Sequence, residues 1–238
     1  MLFIKSLMSK RNLLILVAVL IVAFSCYRLV VLPWFATWGS TAEERAMRLP
    51  GDELVPPNPI LKMDHAITIN APVEKVFPYL LQMGQDKAGF YSYDWLERLG
   101  GFGIYNTYVI KPEWQDLKAG DFCVFHQNGM GMRIHSVEKN KFILMITDSR
   151  EPNHLLPPGK WEFFPVPKGK YVAWNWSFNV FPLPDGKTRL VIRSLSNWTD
   201  TNPLLNFALG NAFELTSEIM DRKLCLTVKR LAEESVAK

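Results

Sequence analysis

The chain has 238 residues, 48% of them hydrophobic and 21% charged, which is an ordinary globular composition and enough for one large domain or two small ones. Its net charge is +4, and residues 1–35 hold all of that excess through Lys5, Lys10, Arg11 and Arg28, with no acid among them. The remaining body balances 23 basic against 23 acidic residues, which argues against a nucleic-acid binder or a polybasic membrane-surface domain. Cys26, Cys123 and Cys225 are far apart and odd in number, so neither a disulfide framework nor a zinc site is expected.

Between Arg11 and Arg28 lie sixteen uncharged residues, of which Leu13 to Phe24 are continuously apolar. Sixteen helical residues span only about 24 Å, short of a hydrocarbon layer of about 30 Å. Continuing through Leu32 reaches about 31 Å and leaves Arg28 in the last turn, where its long side chain snorkels to the interface. Pro33 is expected to end the helix, and Trp34 and Trp38 are placed as interfacial anchors. Residues 1–35 therefore read as a transmembrane anchor. Lys5, Lys10 and Arg11 put its N-terminus in the cytoplasm and the body on the other side. Two other readings stay open. Ala23-Phe24-Ser25 has the small-x-small form of a signal-peptide cleavage site, and Cys26 follows Ser25 as in a lipoprotein, although Phe24 fits that poorly.

Residues 36–64 read as a linker that lies over the domain. Thr41-Ala-Glu-Glu44 has the outline of a capping box, and Leu49-Pro50-Gly51-Asp52 and Pro56-Pro57-Asn58-Pro59 forbid regular structure. The domain proper, 65–238, opens with a strand over His65–Asn70, in which Ala66 and Thr68 alternate with Ile67 and Ile69. Val73–Met83 has helical spacing, with Pro78 kinking it or marking its first turns, and a short helix over Tyr93–Leu99 closes on Gly100-Gly101. Strands are expected near 121–126, 132–137, 142–147, 171–181 and 188–197, with turns at Asn140 and Pro184-Asp185-Gly186. Residues 148–170 read as a loop with a short strand at Trp161–Phe164. The chain ends in a long helix capped by Asn202 with Pro203 at N1. Leu205, Leu209, Phe213, Met220, Leu224, Val228 and Leu231 recur along it, and Glu214 and Glu218 suit its positive end. The fold class is thus α+β: a curved antiparallel sheet with one face to bury, and one long helix to cover it. Where sheet and helix do not close completely, the gap is a cavity.

At Tyr171–Val180, alternation puts Val172, Trp174, Trp176, Phe178 and Val180 on one face and Ala173, Asn175, Ser177 and Asn179 on the other. If the bulky face looks inward, two indoles and a phenyl either fill the space under the helix or wall a pocket. His126 and His135 fall on strands, with the surface as their default place. No nucleophile elbow, phosphate-cradling loop or metal-ligand spacing is present, so no metal and no cofactor are expected.

Ile67-Thr-Ile-Asn-Ala-Pro-Val-Glu-Lys-Val-Phe-Pro-Tyr-Leu-Leu-Gln-Met-Gly84 resembles the opening of the SRPBCC superfamily, the START and pollen-allergen-like helix-grip fold that includes polyketide cyclase-like proteins. Gly89–Glu97 and Pro112–Asp121 are similar to a bacterial subgroup of it, and Trp38–Glu44 after an apolar helix resembles its membrane-anchored members. The resemblance covers about residues 36–232 and implies a helix-grip cavity between sheet and terminal helix that takes a hydrophobic or amphipathic ligand. It also places Tyr91, Tyr93, Asp94 and Trp95 where a family member closes one end of that cavity, with phenols and a carboxylate to meet a polar head. Glu113 is a further candidate pocket acid, beside a reading of it as a solvated carboxylate. The expected binding set is therefore Tyr91, Tyr93, Asp94, Trp95, Glu113, Trp174, Trp176 and Phe178, and the expected partner is a lipid-like molecule near the membrane. Two other functions stay open. One is a cyclase- or dehydratase-like enzyme using Asp94 or Glu113 with a tyrosine. The other is a non-catalytic envelope interaction protein whose cavity its own side chains have filled.

Overall fold

A computed structural model describes residues 10–151, 169–199, 204, 207, 211 and 214–237. The first helix, α1 (Lys10–Cys26), runs through a π turn at Tyr27–Val31 into α2 (Leu32–Ala36). Pro33 does not end it. In the widened turn the Leu32 N–H bonds back to Tyr27 O, so the missing donor of Pro33 falls at a junction where the helical ladder is already shifted. The continuous helix Lys10–Ala36 is long and apolar enough to cross a membrane or to be a signal sequence, and no residue of α1 is buried by protein. Trp34 is exposed, as an interfacial anchor requires. Trp38 instead packs into the protein, edge-on to the His65 ring at 6.0 Å.

The capping box forms: Glu44 N donates to Thr41 Oγ1 (3.2 Å) and Thr41 N to Glu44 Oε2 (2.8 Å), starting α3 (Ala42–Ala46). The next elements are β1 (Leu61–Ile69), α4 (Val73–Leu81, with Pro78 inside it) and α5 (Asp94–Leu99). Strands β2 (Phe122–Val124), β3 (Gly131–Glu138), β4 (Phe142–Asp148), β5 (Val172–Leu183) and β6 (Lys187–Trp198) follow, then the helix α6 (Glu214–Val236). Among the described residues the six strands make one curved antiparallel sheet in the order β1-β6-β5-β4-β3-β2. Asp185 and Gly186 both take positive φ in the β5–β6 turn, as a tight hairpin requires. The expected strand at 161–164 and the helix start at Asn202-Pro203 lie outside the described residues. The first strand begins at Leu61 rather than His65.

Residues between α3 and β1 form a strap across the outer face of the sheet. Leu49 packs there on Ala66 and Val191. The polar side chains of β5 and β6 on this face are buried and hold the strap: Asn175 Nδ2 donates to Gly51 O (2.6 Å), and Asn197 Nδ2 to Pro56 O (3.4 Å). At its centre Arg193, 2% exposed, spends all five N–H donors. They reach Asp64 Oδ1 (2.5 Å), Asp52 Oδ2 (2.8 Å) and the carbonyls of Met47, Glu44 and Arg45. The free edge of β1 is covered too. Gly39 bridges to His65, and a Cβ there would meet Ala66 O at 2.1 Å, so this approach needs glycine.

The inner face carries α4 and α6. Val76, Phe77 and Leu80 of α4 pack with Ile143, Phe178, Val180, Leu190 and Ile192 into one continuous core, which Leu224, Val228 and Leu231 of α6 complete. The part of the inner face beyond this solid core is the site.

Candidate functional site: a cavity under the terminal helix

Going along the inner face of β6, the residues are Leu190, Ile192, Ser194 and Ser196, which stand beside Val180, Phe178, Trp176 and Trp174 of β5. Large aliphatic side chains give way to serines at the point where the neighbouring strand carries indoles. The helix above cannot descend onto a serine floor past two indoles, and a cavity of about 610 Å³ is left. Leu61 and Met63 of β1 complete the floor, α6 forms the roof, and Phe90, Phe102, Ile104 and Phe125 close one side. The aromatic walls brace each other, with ring centroids of Trp176 and Phe178 4.6 Å apart and of Phe125 and Trp174 5.7 Å apart. Leu96 and Leu99 of α5 line the rim and are exposed.

The two indoles differ. Trp174 Nε1 donates to Ser194 Oγ (2.6 Å), which in turn donates to Asn175 O (3.0 Å). Trp176, 7% exposed, has its buried N–H beside the Asp221 carboxylate, without a well-formed hydrogen bond to it.

The polar wall comes from α6. Glu214, Glu218 and Asp221 stand at successive spacings of four and three residues, which puts them on one helical face, and all three line the cavity. Behind them, His65 is fully buried on β1. Its Nε2 lies 2.7 Å from Phe35 O and 2.8 Å from Glu218 Oε2, so this nitrogen carries a proton between two acceptors. Burial opposes charge on His65, but the Glu218 hydrogen bond, the fields of Asp221 and Glu218, and Phe35 O outweigh it and raise its pKa. Burial raises Glu218, with His65 opposing. Asp221 is pushed up to about 7 by burial and by Glu218, against the pull of His65 and of the Trp176 indole beside it. Glu214 likewise rises to about 7 through burial and Glu218, with Arg28 opposing. Across the cavity, Glu97 accepts from Ser92 Oγ (2.7 Å), while burial lifts its pKa and leaves Oε2 without a partner.

Of the residues expected from the sequence, Trp174 and Trp176 line the cavity, and Phe178 sits beneath them in the solid core. Tyr91 is fully buried outside it, at φ 57°, where its OH accepts from Gln82 Nε2 (2.8 Å) and its N–H donates to Asn106 Oδ1 (2.8 Å). Tyr93 precedes α5 under the Lys223 ammonium, and Trp95 is exposed. Asp94 pairs with Arg98 (2.9 Å) and accepts from Asn106 N (3.3 Å). Partial burial works to raise its pKa, but these hydrogen bonds outweigh it and hold Asp94 below the ordinary range. Glu113 is exposed on a 3₁₀ turn. None of these five faces the cavity, so no acid–base set of Asp94, Glu113, Tyr91 and Tyr93 is assembled around it. His126, expected at the surface, is buried edge-on against Phe102, and His135 is exposed at a β-bulge. Among the described residues no group of three or more His, Cys, Asp or Glu is arranged to hold a metal ion.

The residues that sequence reasoning passed over are Glu218, Asp221 and His65. Their signal was present. Glu214, Glu218 and Asp221 continue, toward the N-terminus, the stripe that carries Leu224, Val228 and Leu231, and His65 shares its strand face with Ile67 and Ile69.

No family model and no curated protein matches the chain. Among solved structures it is similar to the hypothetical protein jhp0584 of Helicobacter pylori, with 12% identity over 76% of this chain and 94% of that one (TM-score 0.39). It is also similar to CalU16 of Micromonospora echinospora, with 11% identity over 74% and 85% (TM-score 0.32). A third is Aha1 from Colwellia psychrerythraea, with 18% identity over 68% and 95% (TM-score 0.31). Likeness at this level identifies no family.

Proposed function

We propose that the chain is a membrane-anchored helix-grip protein of the SRPBCC superfamily that binds or carries a hydrophobic or amphipathic, lipid-like molecule in its internal cavity. The observation that carries this reading is where the hollow lies. Its wall residue Glu214 is 3.9 Å from Arg28, at the far end of the membrane-length helix, and the exposed Leu96 and Leu99 line its rim. A volume of about 610 Å³ lies within the usual range for small-molecule sites, and the walls are mostly apolar. A tether that ends beside the cavity keeps it close to a lipid reservoir. With Lys5, Lys10 and Arg11 before the span, the N-terminus is cytoplasmic and the domain lies on the opposite side.

The test is native mass spectrometry of the full chain purified gently from membranes. A co-purifying apolar molecule is expected in the wild type and is expected to vanish in Ser196→Phe, which fills the floor. A ligand-free spectrum for freshly extracted wild type counts against carriage.

A further inference from the structure

Resting on that cavity reading, we infer that the cavity selects amphiphiles whose polar head is an organic ammonium cation, in preference to alcohols or carboxylates of the same length. The first support is the sign of the wall. Glu97, Glu214, Glu218 and Asp221 line the cavity, and among the described lining residues there is no Lys, Arg or His. The nearby cations are turned elsewhere. Arg28 approaches Glu214 only to 3.9 Å and is partly in solvent, and Arg98 pairs with Asp94. Arg222 lies over Trp38, Lys223 over Tyr93, and His65 sits behind Glu218 rather than on the wall. A cluster of buried carboxylates that outnumbers the cations near it, His65 and Arg28, is unfavourable, and a ligand that brings a further cation relieves it.

The second support is independent of the charge count. Asp221 is only 9% exposed, no ion pair engages its carboxylate, and the Trp176 indole is the polar group beside it. Trp176 and the rings braced against it, Phe125 and Phe90, line the same cavity as that carboxylate. Aromatic faces next to a carboxylate suit an ammonium head, which takes a charge-assisted hydrogen bond on one side and the negative ring faces on the other. An alcohol forgoes the charge, and a carboxylate meets a wall of acids that offers it no lining cation.

Without ligand, protons make up the missing positive charge, which agrees with the elevated Glu214 and Asp221. The charged groups that face these two are Glu218 on the same helix, His65 on β1 and Arg28 on the membrane helix. Entry of a cation displaces protons, so amine affinity rises with pH through about 7.

The experiment compares decylamine, decanol and decanoate as competitors for a neutral fluorophore bound to the full chain in zwitterionic nanodiscs, with empty nanodiscs as blank. The amine is expected to bind at least about tenfold more tightly than the alcohol, and the carboxylate most weakly. Asp221→Asn and, at the partly exposed end of the cluster, Glu214→Gln should each shrink the amine preference while alcohol binding persists. An amine no tighter than the alcohol, or a preference that survives both substitutions, overturns the inference and leaves the cavity reading standing. Failure of all three probes to displace the fluorophore overturns the cavity reading itself.

Discussion

Asp64 and His65 are neighbours on β1, and because successive side chains point to opposite faces, each belongs to a different buried polar cluster. On the outer face Asp64 meets Arg193, whose five donors all find acceptors. On the inner face His65 meets Glu218 and Asp221, where carboxylates outnumber cations. In the outer cluster every guanidinium donor of Arg193 is used, although Asp52 Oδ1 has no partner, and the cluster locks a strap to a sheet. The inner one borders empty volume. What separates the two is charge balance: a buried guanidinium offsets the outer carboxylates, whereas the inner carboxylates exceed their cations.

The largest effect is expected from breaking the outer cluster. Arg193→Met leaves buried Asp64 with only the partly exposed Lys62, 3.4 Å away, as counterion and should lower unfolding stability by about 3–5 kcal/mol, read by denaturant titration of the full chain in detergent micelles. Adding Asp64→Leu should recover much of that loss. A double variant as unstable as the single one would show that the strap hydrogen bonds, and not the charge, dominate.

The inner cluster should respond in the opposite direction. Asp221 has a folded pKa of about 7, above its unfolded value, so the folded state keeps a proton that the unfolded chain has released. Its contribution is complete below about pH 4 and is lost as pH rises through about 7, and the raised His65 acts with the same sign. Asp221→Asn should therefore stabilise the protein by about 4 kcal/mol at pH 8 and leave it nearly unchanged at pH 4. Thermal unfolding across that range measures it, and a flat difference between the two pH values would refute the assignment.

A smaller effect is expected at the start of the strap. Thr41→Ala removes the cap oxygen from Glu44 N, at a cost of about 1 kcal/mol in the same titrations, and loosens Glu44 from Arg189, which it now holds at 2.7 Å. Ser196→Phe should be close to neutral in stability, since its side chain enters a void, while abolishing ligand retention. A loss of several kcal/mol would mean the void collapses rather than fills.

Much of this architecture could be read locally. Alternation in residues 171–180 assigned Trp174, Trp176 and Phe178 to the same face, and Asp185-Gly186 marked the hairpin, because pleat and turn depend on near neighbours. Thr41-x-x-Glu44 announced its own cap for the same reason. The site was less legible. Tyr91, Asp94 and Glu113 had suitable chemistry, yet the loops carrying them turn it toward Gln82, Arg98 and solvent respectively.

By itself, then, the amino-acid order determined the strands, the capped turn, the membrane-length apolar helix and the inward aromatic row, all of which follow from period and backbone preference within a few residues. Tertiary structure alone decided that the polar face of β5 lies under a strap rather than in water, and that acids at the start of α6 roof a hollow rather than cap a surface helix. Those outcomes depend on which elements meet across the sheet, and so on volumes and charges contributed by residues more than a hundred positions apart, such as His65 and Glu218.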